Sequence, residues 1–474
     1  MPRLPLALAA APFAVAALAP LALAAPAPAD APPPSFAPGP AGSGEALAAS
    51  LAARTTGEGA RRHLAAFQRI ADASEGNRAA GTPGHERSAA YAGALLERAG
   101  YRVTYQRFDF PYREPLTERL TVLGPDSREV EVRVLSYSPR TEPGGTVAAL
   151  AAAAGPGTGC SPADFSPAAH RGRIALITRG TCTFAEKLEN AAAAGAVGAL
   201  FANSVPGELR GTLGAEGAIP AGGVSQEDGR ALAAELAAGR EVTVRLELEE
   251  LAEERSTVNV LAETRGGDPS RVVMAGAHLD SVPDGPGIND NGSGAAGVLE
   301  TALRLAGADP AGRHPHRVRF ALWSAEEAGL LGSEHYVGGL EESEREDIAL
   351  YLNFDMIGSP NYGLFVYDSP VGEELSGFLG ARGMETSPTP FNGRSDYGPF
   401  VAAGIPAGGT FTGAEGLKSP EEAGRWGGSA GEAYDPCYHR ACDDLENVST
   451  AALDANVRVI AHAVGRYAWE SPPA

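Results

Sequence analysis

From residue 255 onward, short apolar runs alternate with helix-like stretches, and this rhythm restricts the fold more than any other feature of the 474-residue chain. STVNVLAE, RVVMAGAHLD, RVRFALWSA, IALYLNFDMIG and GLFVYDS read as strands. GAAGVLETALRLAG reads as a helix between the second and third of them, and LDANVRVIAHAVGRYAWE as a closing helix. Continuously apolar strands joined by helices build a parallel sheet that is covered on both faces. The expected fold class is α/β, a three-layer α/β/α sandwich with a mostly parallel central sheet. In such sheets chemistry gathers beyond the carboxyl ends of the strands. The polar clusters of this chain fall there.

RVVMAGAH ends at His278, with Asp280 two residues on. Residues i and i+2 of an extended segment share a face, so Asp280 can hold one imidazole nitrogen while the other binds a metal. Asp290 follows in the glycine-rich loop GINDNGSG. RVRFALWSA delivers Glu326 and Glu327 side by side, which the dipole of a helix start would also favour. Asp355 ends the next strand, and DPCYHRACDD carries Tyr438 and His439. Each cluster alone has a bland explanation in turn chemistry or surface loops. Together His278, Asp290, Glu327, Asp355 and His439 supply two imidazoles and three carboxylates. If one carboxylate bridges, two ions each receive a His, a terminal carboxylate and the bridge, a donor set suited to catalytic zinc. Two such ions clamp a water and polarise a carbonyl. Glu326 then serves as general base, and Tyr438 donates to the developing oxyanion.

The rest of the chain frames this region. Residues 1–25 hold one early arginine, an Ala/Leu-rich run and a small-residue cleavage pattern at Ala22-Leu23-Ala24, as in a secretory signal peptide. A Pro/Ala-rich linker is expected over 26–55. Residues 59–73 and 86–99 carry apolar residues at helical spacing. YRVTYQRFDF, LTVLG and VEVRVLSYS read as separate strands. Over 125–250 the chain turns rich in Ala and Gly and holds no His/Asp/Glu cluster, which marks a compact inserted domain. Peptidase-like segments are then 56–124 and 251–474. Four cysteines in an exported chain suggest two disulfides, and three pairings are open. Cys437 and Cys442 are close enough to close one small loop, leaving Cys160 and Cys182 for the second. The net charge of −21 argues against nucleic acid and anionic membrane surfaces as partners.

These motifs resemble the secreted di-zinc aminopeptidases of the M28 metallopeptidase family. The likeness runs through EGNRAAGTPGHERSAAYAGALLERAGY and residues 256–468, on AGAHLDSV, GINDNGSG, AEEAGLLGS, YLNFDMIGSPN, GRSDYGPF, FTGA and CYHRACD. It implies the zinc exopeptidase fold and two Zn²⁺ per chain, bound by His278, Asp290 as the bridge, Glu327, Asp355 and His439. It also implies Glu326 as base, Asp280 as support for His278, and Tyr438 as the group that polarises the carbonyl. Arg394 matches a substrate-site residue, Phe411 lies near the side-chain pocket, and the CYHRAC cysteines match a family disulfide. Tyr397 departs from relatives that often carry His there. The insert resembles a protease-associated (PA) domain. The implied substrates are peptide or protein N-termini, acted on by a secreted monomer, with a preference for Leu or other large apolar residues. A di-zinc carboxypeptidase or dipeptidase would need a basic clamp, for which Arg394 is the candidate. An inactive peptidase-fold binding protein would be expected to have lost ligands.

Overall fold

The computed structural model describes residues 44–473 apart from 126 and 156. The signal peptide expected over 1–25 lies outside these residues. In chain order the strands are β1 (Arg102–Leu123), β2 (Arg128–Val130), β3 (Arg133–Val134), β4 (Thr146–Ala152), β5 (Ile174–Thr178), β6 (Gly198–Ala202) and β7 (Ala221–Val224). They continue with β8 (Thr243–Glu263), β9 (Asp268–His278), β10 (His316–Trp323), β11 (Ile348–Phe354), β12 (Phe365–Tyr367), β13 (Ser387–Thr389) and β14 (Ala407–Phe411).

The catalytic half of the sheet runs β13-β12-β14-β11-β9-β10-β8-β1. Its centre, β10, β9, β11 and β14, is parallel. β9 is buried over its last seven residues, as a strand covered on both faces must be. On one face lie helices Gly57–Asp72, Pro83–Arg98, Gly294–Ala308 and Thr450–Tyr467, packed through Leu64, Leu96, Leu299 and Ile460. On the other, Trp323, Tyr336, Tyr351 and Phe400 form an aromatic layer beneath helices Leu331–Gly338 and Tyr397–Ala402. The sandwich expected from the rhythm of apolar runs is therefore observed. The strand order switches at β9, with β10 on one side and β11 on the other, and ligands of open α/β sheets bind at such a point. No helix among the described residues is long and apolar enough to cross a membrane.

Two expectations need correction. The linker read over 26–55 gives way at Gly44 to a helix, Gly44–Arg54. Its helicity is secured from the far end of the chain. Gly465 leaves room for the Ala48 backbone, and Arg458 Nη1 donates to Ala52 O at 2.8 Å. Secondly, the strands read separately on each side of the insert are continuous. β1 merges YRVTYQRFDF with LTVLG, and β8 extends STVNVLAE back without a break to Thr243. The two pair antiparallel along their whole length, with one register shift between Pro115 and Thr117. A proline has no N–H for the ladder, so the irregularity falls where Pro115 stands.

The insert hangs on this ribbon. β4 pairs with β8, and β4-β5-β6-β7 are parallel, closed by β3. Cores on the two sides of this smaller sheet are built on Leu150, Leu176 and Leu200 and on Ile177, Leu188 and Phe201. Cys160 and Cys182 are bridged within it.

Candidate active site

β9, β10 and β11 end next to one another, so residues far apart in sequence meet. His278 is the last residue of β9, Glu326 and Glu327 follow β10, and Asp355 follows β11. The glutamate pair does not start a helix. The next helix begins at Leu331, and residues 325–330 form a tight turn in which Gly329 and Leu330 N–H donate to Glu326 O. Ala325 and Leu330 have positive φ within it, as do Met356 beside Asp355, and His439 itself. Left-handed backbone at residues with a Cβ costs about 1–2 kcal/mol each. Strain of this kind gathers where side chains must be aimed.

Asp290 sits between the two imidazoles. Its Oδ1 is 3.3 Å from His278 Nε2, and its Oδ2 is 3.2 Å from His439 Nε2. Asp355 Oδ1 lies 3.4 Å from His278 Nε2, and Glu327 Oε2 lies 3.0 Å from His439 Nε2. Glu326 Oε2 stands further back, 3.9 Å from His278 Nε2. Asp280 is fully buried. Its carbonyl is 3.3 Å and its carboxylate 3.6 Å from His278 Nδ1, while its two carboxylate oxygens accept the N–H groups of Glu326 and Glu327 at 3.4 Å. One side chain thus steadies both the imidazole and the glutamate turn.

The charges do not balance. Asp280, Asp290, Glu326, Glu327, Asp355 and Asp396 crowd two imidazoles. Burial opposes a charge on His278, but Glu326, Asp355 and the carboxylates of Asp280 and Asp290 lift its pKa well above the usual range. His439 behaves alike, with Glu327 and Asp290 outweighing burial. Burial, then Asp355, Glu327 and Asp396, push the Glu326 carboxyl well above its ordinary value despite the opposing pull of His278. Asp396 is pushed up to about 7, by burial first, with His278 and the Ser333 hydroxyl pulling the other way. Glu327 Oε1 and Asp355 Oδ1 are buried and accept no hydrogen bond. Acceptor-only oxygens left bare in a crowd of carboxylates fit a cation and little else.

Several contributors carried no signal in the sequence reading. A buried hydrogen-bond chain runs from Trp323 Nε1 to Tyr351 OH, Asn353 Oδ1, Ser395 Oγ and Asp355 Oδ2, and the last step is 2.6 Å. It fixes which oxygen of Asp355 stays free. Asp443 accepts the N–H groups of Asn289 and Asp290 at 2.8 and 2.9 Å, and so holds the Asp290 loop. Burial and neighbouring Asp435 push its carboxyl up to about 7. Arg78, fully buried, donates to the carbonyls of Leu279, Pro286 and Gly287. Asn291 Oδ1 accepts Gly294 and Met356 N–H, and its Nδ2 donates to Phe354 O.

The remaining expected residues line the entrance. Cys437 and Cys442 are bridged, around Tyr438 and His439. The two rings stack at 3.8 Å. Burial, then Asp290 and Glu327, raise the Tyr438 phenol well above its usual value, so the hydroxyl keeps its proton. Arg394 donates to Tyr438 OH at 3.3 Å and to Glu415 at 2.8 Å. Phe411 ends β14 and joins Met356, Tyr367, Pro390 and Tyr397 around a small pocket of about 100 Å³ beside Glu326. Opening the Cys437–Cys442 bridge by double substitution to Ser should cost about 2 kcal/mol on the chain-entropy account of so short a loop. Because the loop aims two site residues, kcat/KM should fall more steeply, by up to about 100-fold. Thermal melting and a chromogenic peptidase assay read the two effects separately.

The model of peptidase family M28 matches residues 259–464, and that of the PA domain matches residues 145–232. A probable lipoprotein aminopeptidase of Mycobacterium tuberculosis, LpqL, is 42% identical over 450 residues, which cover 89% of this chain and 87% of that protein. The chain belongs to peptidase family M28. This M28 chain is also 40% identical to leucine aminopeptidase 2 of Trichophyton rubrum over 422 residues, 85% of this chain and 82% of that one. Its fold matches a zinc aminopeptidase from Bacillus subtilis with a TM-score of 0.65 and 29% identity, covering 86% of this chain and 94% of that structure. The M28 protein is thus a peptide-bond hydrolase of the aminopeptidase type, and its family implies zinc.

Proposed function

We propose that this aminopeptidase is exported, binds two zinc ions, and removes a large apolar N-terminal residue, Leu foremost, with Glu326 as general base. The observation that carries the reading is the placement of Asp290, with one carboxylate oxygen toward each of two imidazoles. The nearby acids can be grouped in more than one way, since His278 also comes within 4.8 Å of Glu327 and of Glu326. The shorter contacts favour His278, Asp290 and Asp355 for one ion and His439, Asp290 and Glu327 for the other. That division leaves Glu326 free for proton transfer. When bound, the two ions supply Lewis acidity at the scissile carbonyl and acidify water.

Glu326 takes a proton from the attacking water as its oxygen bonds to the carbonyl carbon. It hands that proton to the leaving nitrogen as the C–N bond breaks. Tyr438 OH donates a hydrogen bond to the oxyanion. The acidic groups around the centre, Glu326 and Asp355 above all, suit the ammonium group of a free N-terminus. Arg394, the one candidate clamp for a C-terminal carboxylate, is already engaged by Glu415, which speaks against a carboxypeptidase. The apolar walls of the small pocket favour Leu, as does the name of the Trichophyton relative. Two disulfides and the leader-like N-terminus support export.

A panel of Leu, Phe, Gly, Lys and Asp p-nitroanilides, with Leu also N-acetylated, tests this. Leu and Phe should exceed Gly by about 10-fold or more, as an apolar pocket permits. Acetyl-Leu should be inert. Equal hydrolysis of free and acetylated substrates would refute the aminopeptidase reading.

A further inference from the structure

Glu327 and His439 line not only the small pocket but a second, larger cavity of about 380 Å³. This cavity runs away from the metal-type residues into the angle between the catalytic half and the insert. Phe110 and Tyr112, at the root of the β1–β8 ribbon, form part of its wall, with Val282 and Pro283 beyond the end of β9. The insert contributes Tyr137 and the segment Arg210–Thr212.

We propose that this cleft binds the peptide downstream of the scissile bond and selects uncharged, apolar or aromatic residues at the second and third positions beyond it. The proposal rests on the aminopeptidase reading, because it takes the N-terminal side chain to occupy the small pocket. A substrate held there by its first residue passes its leaving chain over Glu327 and His439, the two residues that both cavities share. An extended chain advances about 3.3–3.6 Å per residue, so a few residues span the cleft. Its size is that of pockets that bury a small ligand, roughly 300–1,000 Å³.

The chemistry of the wall sets the preference. Beyond the end shared with the small pocket, where Asp280, Glu327 and His439 lie, the charges that line it are paired within the protein. Arg113 pairs with Glu250 at 2.7 Å, Arg210 with Asp284 at 3.1 Å, and Glu118 with Arg133 at 2.9 Å. The Arg113 guanidinium also lies 3.7 Å from the centre of the Tyr137 ring. A charged substrate side chain would lose water and find no free opposite charge, whereas an apolar one meets aromatic surface. The insert is held in place to form this wall. Arg210 reaches Asp284 in the loop after β9, and Glu208 reaches Arg440 next to His439, at 3.5 Å.

The test compares Leu-Ala-Phe-Ala, Leu-Ala-Glu-Ala and Leu-p-nitroanilide, the last of which leaves the cleft empty. Thr212→Trp fills the cleft from an exposed loop of the insert, and Tyr137→Ala strips its wall. The wild type should prefer the Phe peptide over the Glu peptide by about 10-fold in kcat/KM. Both variants should erase that preference while Leu-p-nitroanilide stays within about twofold of wild type. Equal rates on the two tetrapeptides in the wild type would overturn the assignment, as would parallel losses on peptide and nitroanilide in both variants. Failure of the wild type to cleave Leu-p-nitroanilide would instead bring down the aminopeptidase reading itself.

Discussion

In Glu326→Gln, kcat on Leu-p-nitroanilide falls by about 10²–10⁴-fold, the usual contribution of a positioned general base. The variant keeps the shape of the side chain and its place in the turn at 325–330. What it loses is the ability to accept a proton. Glu326 makes none of the shortest contacts to the imidazoles, and its closest approach is 3.9 Å. Metal content should therefore remain that of the wild type, while KM rises by no more than about tenfold through the loss of one carboxylate that faces the substrate ammonium. Emission spectrometry and steady-state kinetics on the same preparation separate the two. A kcat within about fivefold of wild type would transfer the role of base to another group.

Asp290→Ala produces the second large effect. The carboxylate faces both His278 and His439, so on the proposed two-ion reading its loss should weaken both sites together. Metal content should drop from about two ions per chain to under one, with activity lost accordingly. The thermal shift gives an independent reading. Ions that bind only the folded chain stabilise it by about 4 kcal/mol at a thousandfold excess over Kd. A chelator should thus lower the melting temperature of the wild type and leave that of Asp290→Ala nearly unchanged. An equal chelator shift in both proteins would show that Asp290 is not a shared ligand.

The acids and imidazoles were readable from sequence because each stands at the end of an apolar run or within a short distinctive loop. A strand end is a local property, and the ends of β9, β10 and β11 converge once the sheet order is known, with the loops of Asp290 and His439 closing on them. The residues that hold them in place were not readable in the same way. Arg78 acts on carbonyls at 279–287, and Asp443 on amides at 289 and 290. Nothing near either residue in the sequence announces a partner so distant. Asp396 and Ser395 sit in GRSDYGPF, away from any strand end, so nothing local marks Ser395 as the partner of Asp355. The helix at Gly44–Arg54 was lost in the proline-rich stretch that precedes it, and its stability comes from contact with Arg458 and Gly465. Pro111 and Pro115 in β1 and the acidic stretch 249–254 in β8 have the look of breaks and mask the continuity of both strands. A ladder of paired backbone carries the chain through them.

β8 serves two cores in succession. Val244, Leu246 and Leu248 are buried in the insert, and Val258, Val260 and Ala262 in the catalytic half. β1 contributes Leu120 and Val122 to the first of these. Similarity to other PA domains spans residues 145–232, yet no cut near those limits yields two finished proteins. Excision there would leave a projecting hairpin with its apolar face in water, a surface prone to edge-to-edge association. A chimera that exchanges the insert must carry the ribbon with it as well. Its natural joints are therefore at the catalytic end of the ladder, beyond Pro115 and Glu250, rather than where the alignment stops.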